Sequence, residues 1–93
     1  MEEIKELLQE PTVTILDVRN PDEFAADSIA GAINIPLSEA GNRIEEIKQM
    51  STPIVVHCLM GGRSASAVGI LKQAGLSDVY NGGGIATMKS LLS

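Results

Sequence analysis

A layered α/β domain, with a mainly parallel sheet covered by helices on both faces, is the fold class this sequence predicts, and three observations predict it. Short β-branched runs alternate with amphipathic helical stretches along the whole chain. The most apolar runs lack the apolar/polar alternation of a half-exposed strand, so burial on both faces is expected, as in a parallel sheet. The chain also has one Phe, one Tyr and no Trp, which leaves Ile, Val, Leu, Ala and Met to fill closely packed layers.

The elements follow in order. Ile4, Leu7 and Leu8 share one helical face, so residues 2–9 read as a short helix that Pro11 stops. "VTILDV", residues 13–18, is a strand by its β-branched content. In "NPDEFAAD" Asn20 is placed as N-cap and Pro21 as first helical residue. Residues 32–35 form a short strand closed by Pro36. A helix is expected over residues 38–50, with Leu37, Ile44 and Ile47 inward and Glu45, Glu46 and Lys48 toward water. "PIVVHC", residues 53–58, is the most hydrophobic run and the expected central strand. A helix over residues 64–74 would bury Ala67, Val68, Leu71 and Ala74, with Gly75 placed to end it. "DVY" reads as the last strand, "NGGG" as a turn and "IATMKSLL" as a closing helix.

Ninety-three residues close one hydrophobic core, so residues 1–93 are read as a single domain. A content of 44% hydrophobic and 20% charged residues excludes a disordered chain. The net charge of −5 argues against a nucleic-acid partner, and binding an anion would need a locally built positive site. Attention therefore falls on Arg19, Arg43 and Arg63. A single cysteine excludes an internal disulfide and a multi-cysteine metal site; no metal and no cofactor is expected. No apolar run is long enough to cross a bilayer, so no membrane partner is expected. "MEEIKELLQE" lacks the basic start and apolar middle of a secretion signal, so the default expectation is the cytoplasm. An exported form whose signal has been removed is compatible with the same residues. Nothing demands more than a monomer.

"VVHCLMGGRSASAV", residues 55–68, concentrates the chemistry. Cys58 ends the best strand and a helix opens a few residues later, at the strand end where ligands of open parallel sheets bind. Between them Gly61 and Gly62 let the backbone curl with its amides inward, forming an anion-attracting nest with Leu59, Met60 and Ser64. The helix start adds unpaired N–H groups and its positive dipole end. A thiol at that focus is expected below the usual value of about 8.5, as the nucleophilic thiolate. Arg63 supplies a fixed positive charge for an oxyanion. A lone cysteine is more often core than nucleophile, but a core cysteine needs neither the glycines nor the arginine.

The other candidates weigh less. His57 points to the opposite face from Cys58 and reads as packing beneath the loop rather than as a base. Asp17 and Arg19, in "DVR", end a neighbouring strand near the same rim. They could support the site, or pair with neighbouring charges and pin the following loop, Arg19 with Glu23 being the natural pair. Arg43, in "NRIEEIK", is expected to be solvated or ion-paired. Gly82, Gly83 and Gly84 could be a second anion loop, but a turn explains them equally well and is preferred.

"DVRNPDEF", "IAGAINIP" and "HCLMGGRSA" together resemble the single-domain rhodanese family, the thiosulfate and polysulfide sulfurtransferases. The likeness runs from about Leu16 to the "GGG" stretch, and its Cys-x-x-Gly-x-Arg loop falls on Cys58, Gly61 and Arg63. It implies a rhodanese-like, five-stranded mainly parallel sheet and a cysteine that cycles between thiolate and persulfide. Two departures are Asp27-Ser28-Ile29, where members usually carry Gly-His-Ile, and Met88, where a Trp is common. Neither removes a group from the cysteine loop. Dual-specificity phosphatases of the Cdc25 type share the fold but place one more residue between cysteine and arginine than the four here, Leu59 to Gly62. The smaller ring suits one sulfur atom better than a tetrahedral phosphate.

The implied activity moves sulfane sulfur from thiosulfate or a polysulfide to cyanide or a thiol, a thioredoxin-like protein among the candidate acceptors. The competing reading is a persulfide carrier or partner-binding module without turnover. Enzyme and carrier share every residue named.

Overall fold

The β3 strand, Ile54–Cys58, is the axis of the molecule: all its residues are buried, as its unalternating apolar sequence predicts. The computed structural model describes residues 2–93. Before β3 come α1 (Glu2–Leu8), β1 (Thr14–Asp17), α2 (Pro21–Ala26), β2 (Ile33–Asn34), α3 (Leu37–Ala40) and α4 (Ile44–Lys48). After it come α5 (Gly62–Gln73), β4 (Val79–Gly84) and α6 (Ile85–Leu92). The sheet order is β2-β1-β3-β4 and every pairing is parallel, so β1 and β3 are the interior strands.

Each face of the sheet carries its own apolar cluster. Leu16, Val18, Val56, Cys58 and Val79 pack with Ile47 of α4 and with Ala67 and Leu71 of α5. On the other face Val55 packs with Ile4 and Leu8 of α1 and with Ile85 and Met88 of α6. Met88 is fully buried, so a flexible thioether fills this position in the last helix. No helix among the described residues is long and apolar enough to cross a membrane.

Among the described residues four strands form the sheet, where the family resemblance implied five. Only four extended runs were legible in the residues themselves. The stretch ahead of β1 is taken up by α1 and a turn.

The single helix expected over residues 38–50 is two short ones, α3 and α4. Gly41 and Asn42, both weak helix formers, interrupt it, and the turn closes through Asn42 N–H to Glu39 O and Arg43 N–H to Ala40 O. Arg43 spans the break, pairing with Glu39 at 3.0 Å and Glu46 at 2.9 Å, which fulfils the ion-paired expectation. The α5 helix starts at Gly62, earlier than the serine-led start expected.

The "NGGG" stretch is not a turn. It continues β4, with Gly83 at a φ of +87° and a bulge that sets Val56 opposite Asn81 and His57 opposite Gly83. This matters for the cysteine loop, because a Cβ at Gly84 would run into the carbonyl oxygen of Leu59 and lie 3.3 Å from Met60 Cα. Glycine is needed at 84 so that the loop after β3 can lie against β4. Gly84→Ala is therefore expected to cost about 1–3 kcal/mol and to displace the loop. Urea denaturation reads the first effect, and the rate of Cys58 alkylation should change with the second.

Candidate active site

Cys58 ends β3 with its side chain on the α5 face, while His57 occupies the other face. The chain then curls through Leu59 and Met60 to Gly61, which takes the left-handed φ of +105° and stands as N-cap of α5. Few residues other than glycine adopt that conformation at low cost. Its consequence is direct: the Gly61 N–H points back and donates to Cys58 Sγ at 2.9 Å.

Ser64, in the first turn of α5, brings its Oγ to 3.4 Å from the same sulfur. That hydroxyl also donates to Asn81 Oδ1 at 2.7 Å and lies 3.0 Å from Gly61 O. A hydroxyl has one proton, so these acceptors compete for it. An ionised sulfur is the strongest claimant, and Asn81 holds the hydroxyl in place until then. Asn81 Oδ1 is itself fixed by the Gly83 N–H at 2.9 Å.

Two opposing effects act on the thiol. Burial pushes Cys58 up, because an ion is poorly solvated there. The Ser64 hydroxyl, then the amides of Ser64, Gly61 and Met60, favour the thiolate and outweigh burial, so the net direction is down. The residue is only 1% exposed and sits at the floor of the loop, beneath Leu59 at 49% and Met60 at 86%. Its surroundings are thus polar toward the loop and apolar toward Leu16, Val18 and Ala67. Two surface hollows of about 410 and 310 Å³ include none of residues 58–64 in their walls.

Arg63 does not stand free at the rim. Its guanidinium forks onto Glu23 of α2, with Nη1 to Oε1 at 2.7 Å and Nη2 to Oε2 at 3.0 Å. The Arg63 hydrogen bonds, and next the Asn20 N–H, hold the Glu23 carboxyl down to about 2. The charge of Cys58 as thiolate also favours the Arg63 cation. The expected Arg19–Glu23 pair is therefore replaced: Glu23 serves Arg63, and Arg19 turns to Asp17.

Asp17 and Arg19 form a buried, two-point ion pair, with Nη2 to Oδ2 at 2.7 Å and Nε to Oδ1 at 3.0 Å. Arg19 Nη2 also reaches Asp27 O at 2.7 Å, which ties the segment after α2 to the end of β1. Asp17 lies opposite His57 in the sheet register, so the pair faces away from the sulfur. Its hydrogen bonds tie the end of β1 to the Asp27 carbonyl, contacts that fit the loop-pinning reading.

His57 is fully buried, and its Nδ1 lies 3.2 Å from Cys58 O. Its Nε2 is 3.6 Å from Asp17 Oδ2 and has no hydrogen-bond partner. Burial pushes its pKa down, ahead of the opposing Cys58 carbonyl and Asp17, so the ring is neutral at pH 7. Packing beneath the loop is what the sequence suggested.

The sequence offered Glu23 only as a partner for Arg19, and it did not single out Asn81. Asn20-x-x-Glu23 is a visible helix-start spacing, but its reach to Arg63 crosses 40 residues of chain. Asn81 carries no signal, because only the bulged register of β4 aims it at Ser64.

A pH prediction follows for His57. The folded state binds a proton less readily than the unfolded chain, so stability is full above about pH 6.5 and falls as pH drops below it, by up to about 1.4 kcal/mol per pH unit. As the sole histidine, it dominates that window. Urea midpoints of the wild type should fall between pH 7 and 5, and His57→Gln should flatten the profile.

The family model of the rhodanese-like domain matches residues 1–87. The thiosulfate sulfurtransferase PspE of Escherichia coli is 37% identical over 71 residues, 75% of this chain and 68% of that protein. A putative sulfur carrier protein of Bacillus subtilis, YrkF, is 34% identical over 70 residues, 75% of this chain and 37% of that one. Among solved structures, the human single-domain sulfurtransferase TSTD1 superposes with a TM-score of 0.78 at 26% identity, covering 97% of this chain and 92% of that one. Other curated relatives extend beyond the match, and the chain spans 52% of one from Bacillus subtilis and 66% of one from Pseudomonas aeruginosa. The fold, the cysteine loop and the match along nearly all of the chain together place this protein in the rhodanese-like domain family.

Proposed function

We propose that this chain is a sulfurtransferase that moves sulfane sulfur through a persulfide on Cys58. The observation that carries the reading is the Gly61 N–H donating to Cys58 Sγ at 2.9 Å, with the Ser64 hydroxyl beside it. Donors aimed at one sulfur stabilise a thiolate before reaction and an anionic persulfide after it.

In the first half-reaction the Cys58 thiolate attacks the outer sulfur of thiosulfate. A Cys58–sulfur bond forms, the donor's sulfur–sulfur bond breaks, and its electron pair leaves on sulfite. A polysulfide donor leaves as its shortened chain. In the second half-reaction an acceptor thiolate, on a small thiol or a thioredoxin-like protein, attacks the terminal sulfur and restores the Cys58 thiolate. Cyanide in the same role leaves as thiocyanate. No redox cofactor or metal enters this balance, and no general base is needed once the sulfur is ionised. The kinetics are double-displacement, as for any covalent intermediate released before the second substrate reacts.

Leu59, Met60, Gly61, Gly62, Arg63 and Ser64 are the proposed substrate-binding residues, the amides cradling the transferred sulfur. Arg63 contributes through its partnership with Glu23 rather than as a bare cation. The ring has four residues between Cys58 and Arg63, one fewer than in Cdc25-type phosphatases, which favours sulfur over phosphoryl transfer.

The relative named as a putative sulfur carrier supports a second reading, in which the same persulfide forms once and is handed to a partner. Turnover separates the two. With thiosulfate alone, intact mass should rise by one sulfur, and Cys58→Ser should show no gain. Adding cyanide should give steady thiocyanate release for the enzyme and one equivalent or less for the carrier. Sulfur gain by the Cys58→Ser chain would refute both.

A further inference from the structure

The mouth of the cysteine loop is built electrically neutral. Arg63 is the only cation in residues 58–64, and the fork of its guanidinium is filled by the protein's own carboxylate. That carboxylate is not a chance surface contact. Glu23 Oε1 also accepts the Asn20 N–H at 3.0 Å, so the start of α2 fixes it before Arg63 arrives. Both side chains are about two-thirds to three-quarters covered, at 33% exposure for Arg63 and 26% for Glu23, and the pairing is two-point. It thus has a defined geometry that a typical exposed pair lacks.

A donor approaching Cys58 meets a thiolate whose loop arginine, Arg63, is already compensated by Glu23. For a doubly charged donor the repulsion is unrelieved. A singly charged or uncharged sulfane sulfur meets about half of it or none. We propose that Glu23 is a specificity-determining residue: by occupying Arg63 it biases the loop toward singly charged or uncharged sulfane donors, such as persulfides and thiosulfonates, over dianionic thiosulfate. This rests on the persulfide reading above and adds the charge class of its donor.

Thiosulfate and methanethiosulfonate make the comparison clean, because one differs from the other by a methyl in place of a charged oxygen. Both load Cys58 by the same step, the electron pair leaving on sulfite or on methanesulfinate. Second-order loading rates of the full chain, read by intact mass at low salt, give a thiosulfate-to-methanethiosulfonate ratio. Glu23→Gln should raise that ratio roughly three- to tenfold, the size expected for one charge uncovered at the loop, and added salt should erode the gain. Glu23→Asp, which keeps the charge, should stay within twofold of the wild-type ratio. So should Asp22→Asn, its exposed neighbour.

An unchanged or lowered ratio in Glu23→Gln would overturn the proposal, as would an equal rise in Glu23→Asp, since that would trace the effect to loop geometry. If the wild type gains sulfur from neither donor, the sulfurtransferase reading itself fails. Loading of the wild type with a ratio indifferent to Glu23 refutes this inference alone.

Discussion

A single hydrogen bond, Gly61 N–H to Cys58 Sγ, is where the backbone path of this protein becomes chemistry. It requires the chain to leave β3, turn within three residues and re-enter a helix, which the left-handed φ of Gly61 permits. It also requires the turning segment to press against β4, which the absence of a side chain at Gly84 permits. The parallel sheet supplies the rest, because the ends of β3 and β4 lie side by side only in the bulged register that places Cys58 opposite Gly84. Without that closure the sulfur would be an ordinary buried thiol, and burial would hold it protonated.

Polar groups are divided between the two faces of the sheet with different tasks. The α5 face carries the sulfur, Ser64 and Asn81, a chain of donors and acceptors ending on Cys58 Sγ. The opposite face carries Asp17, Arg19 and His57, a buried polar set that grips the Asp27 carbonyl and stands under the Cys58 carbonyl. A buried ion pair adds little net stability over an apolar substitute. Here its geometry fixes where the strand ends and the loops begin. Between the two sets, Glu23 connects the start of α2 to Arg63 and joins the loop of one half of the chain to the other.

Much of this was legible in the sequence for identifiable reasons. The strand at residues 54–58 was readable because a doubly buried strand shows unbroken β-branched residues, and the loop because Cys, paired glycines and Arg seldom fall together by packing alone. The opposite facing of His57 followed from strand geometry. What was missed depends on register or on distant pairing. The break in the 38–50 helix turned on two weak residues, Gly41 and Asn42, that the apolar stripe concealed. The glycines at 82–84 have the composition of a turn, and only the neighbouring loop shows why they continue β4. Spacing favoured Glu23 for Arg19, whose partner is Asp17, and offered Arg63 no carboxylate nearby in sequence, because its partner Glu23 lies 40 residues away.

The physical core of the account is that a nearly buried sulfur is kept ionised by groups the fold points at it. Because the chain has one cysteine, ultraviolet thiolate absorbance during a pH titration reports that sulfur alone. The midpoint should lie below the usual value of about 8.5, and Ser64→Ala should move it upward. A midpoint at or above that value, insensitive to Ser64, would mean that burial prevails over the loop, and would contradict the account at its base.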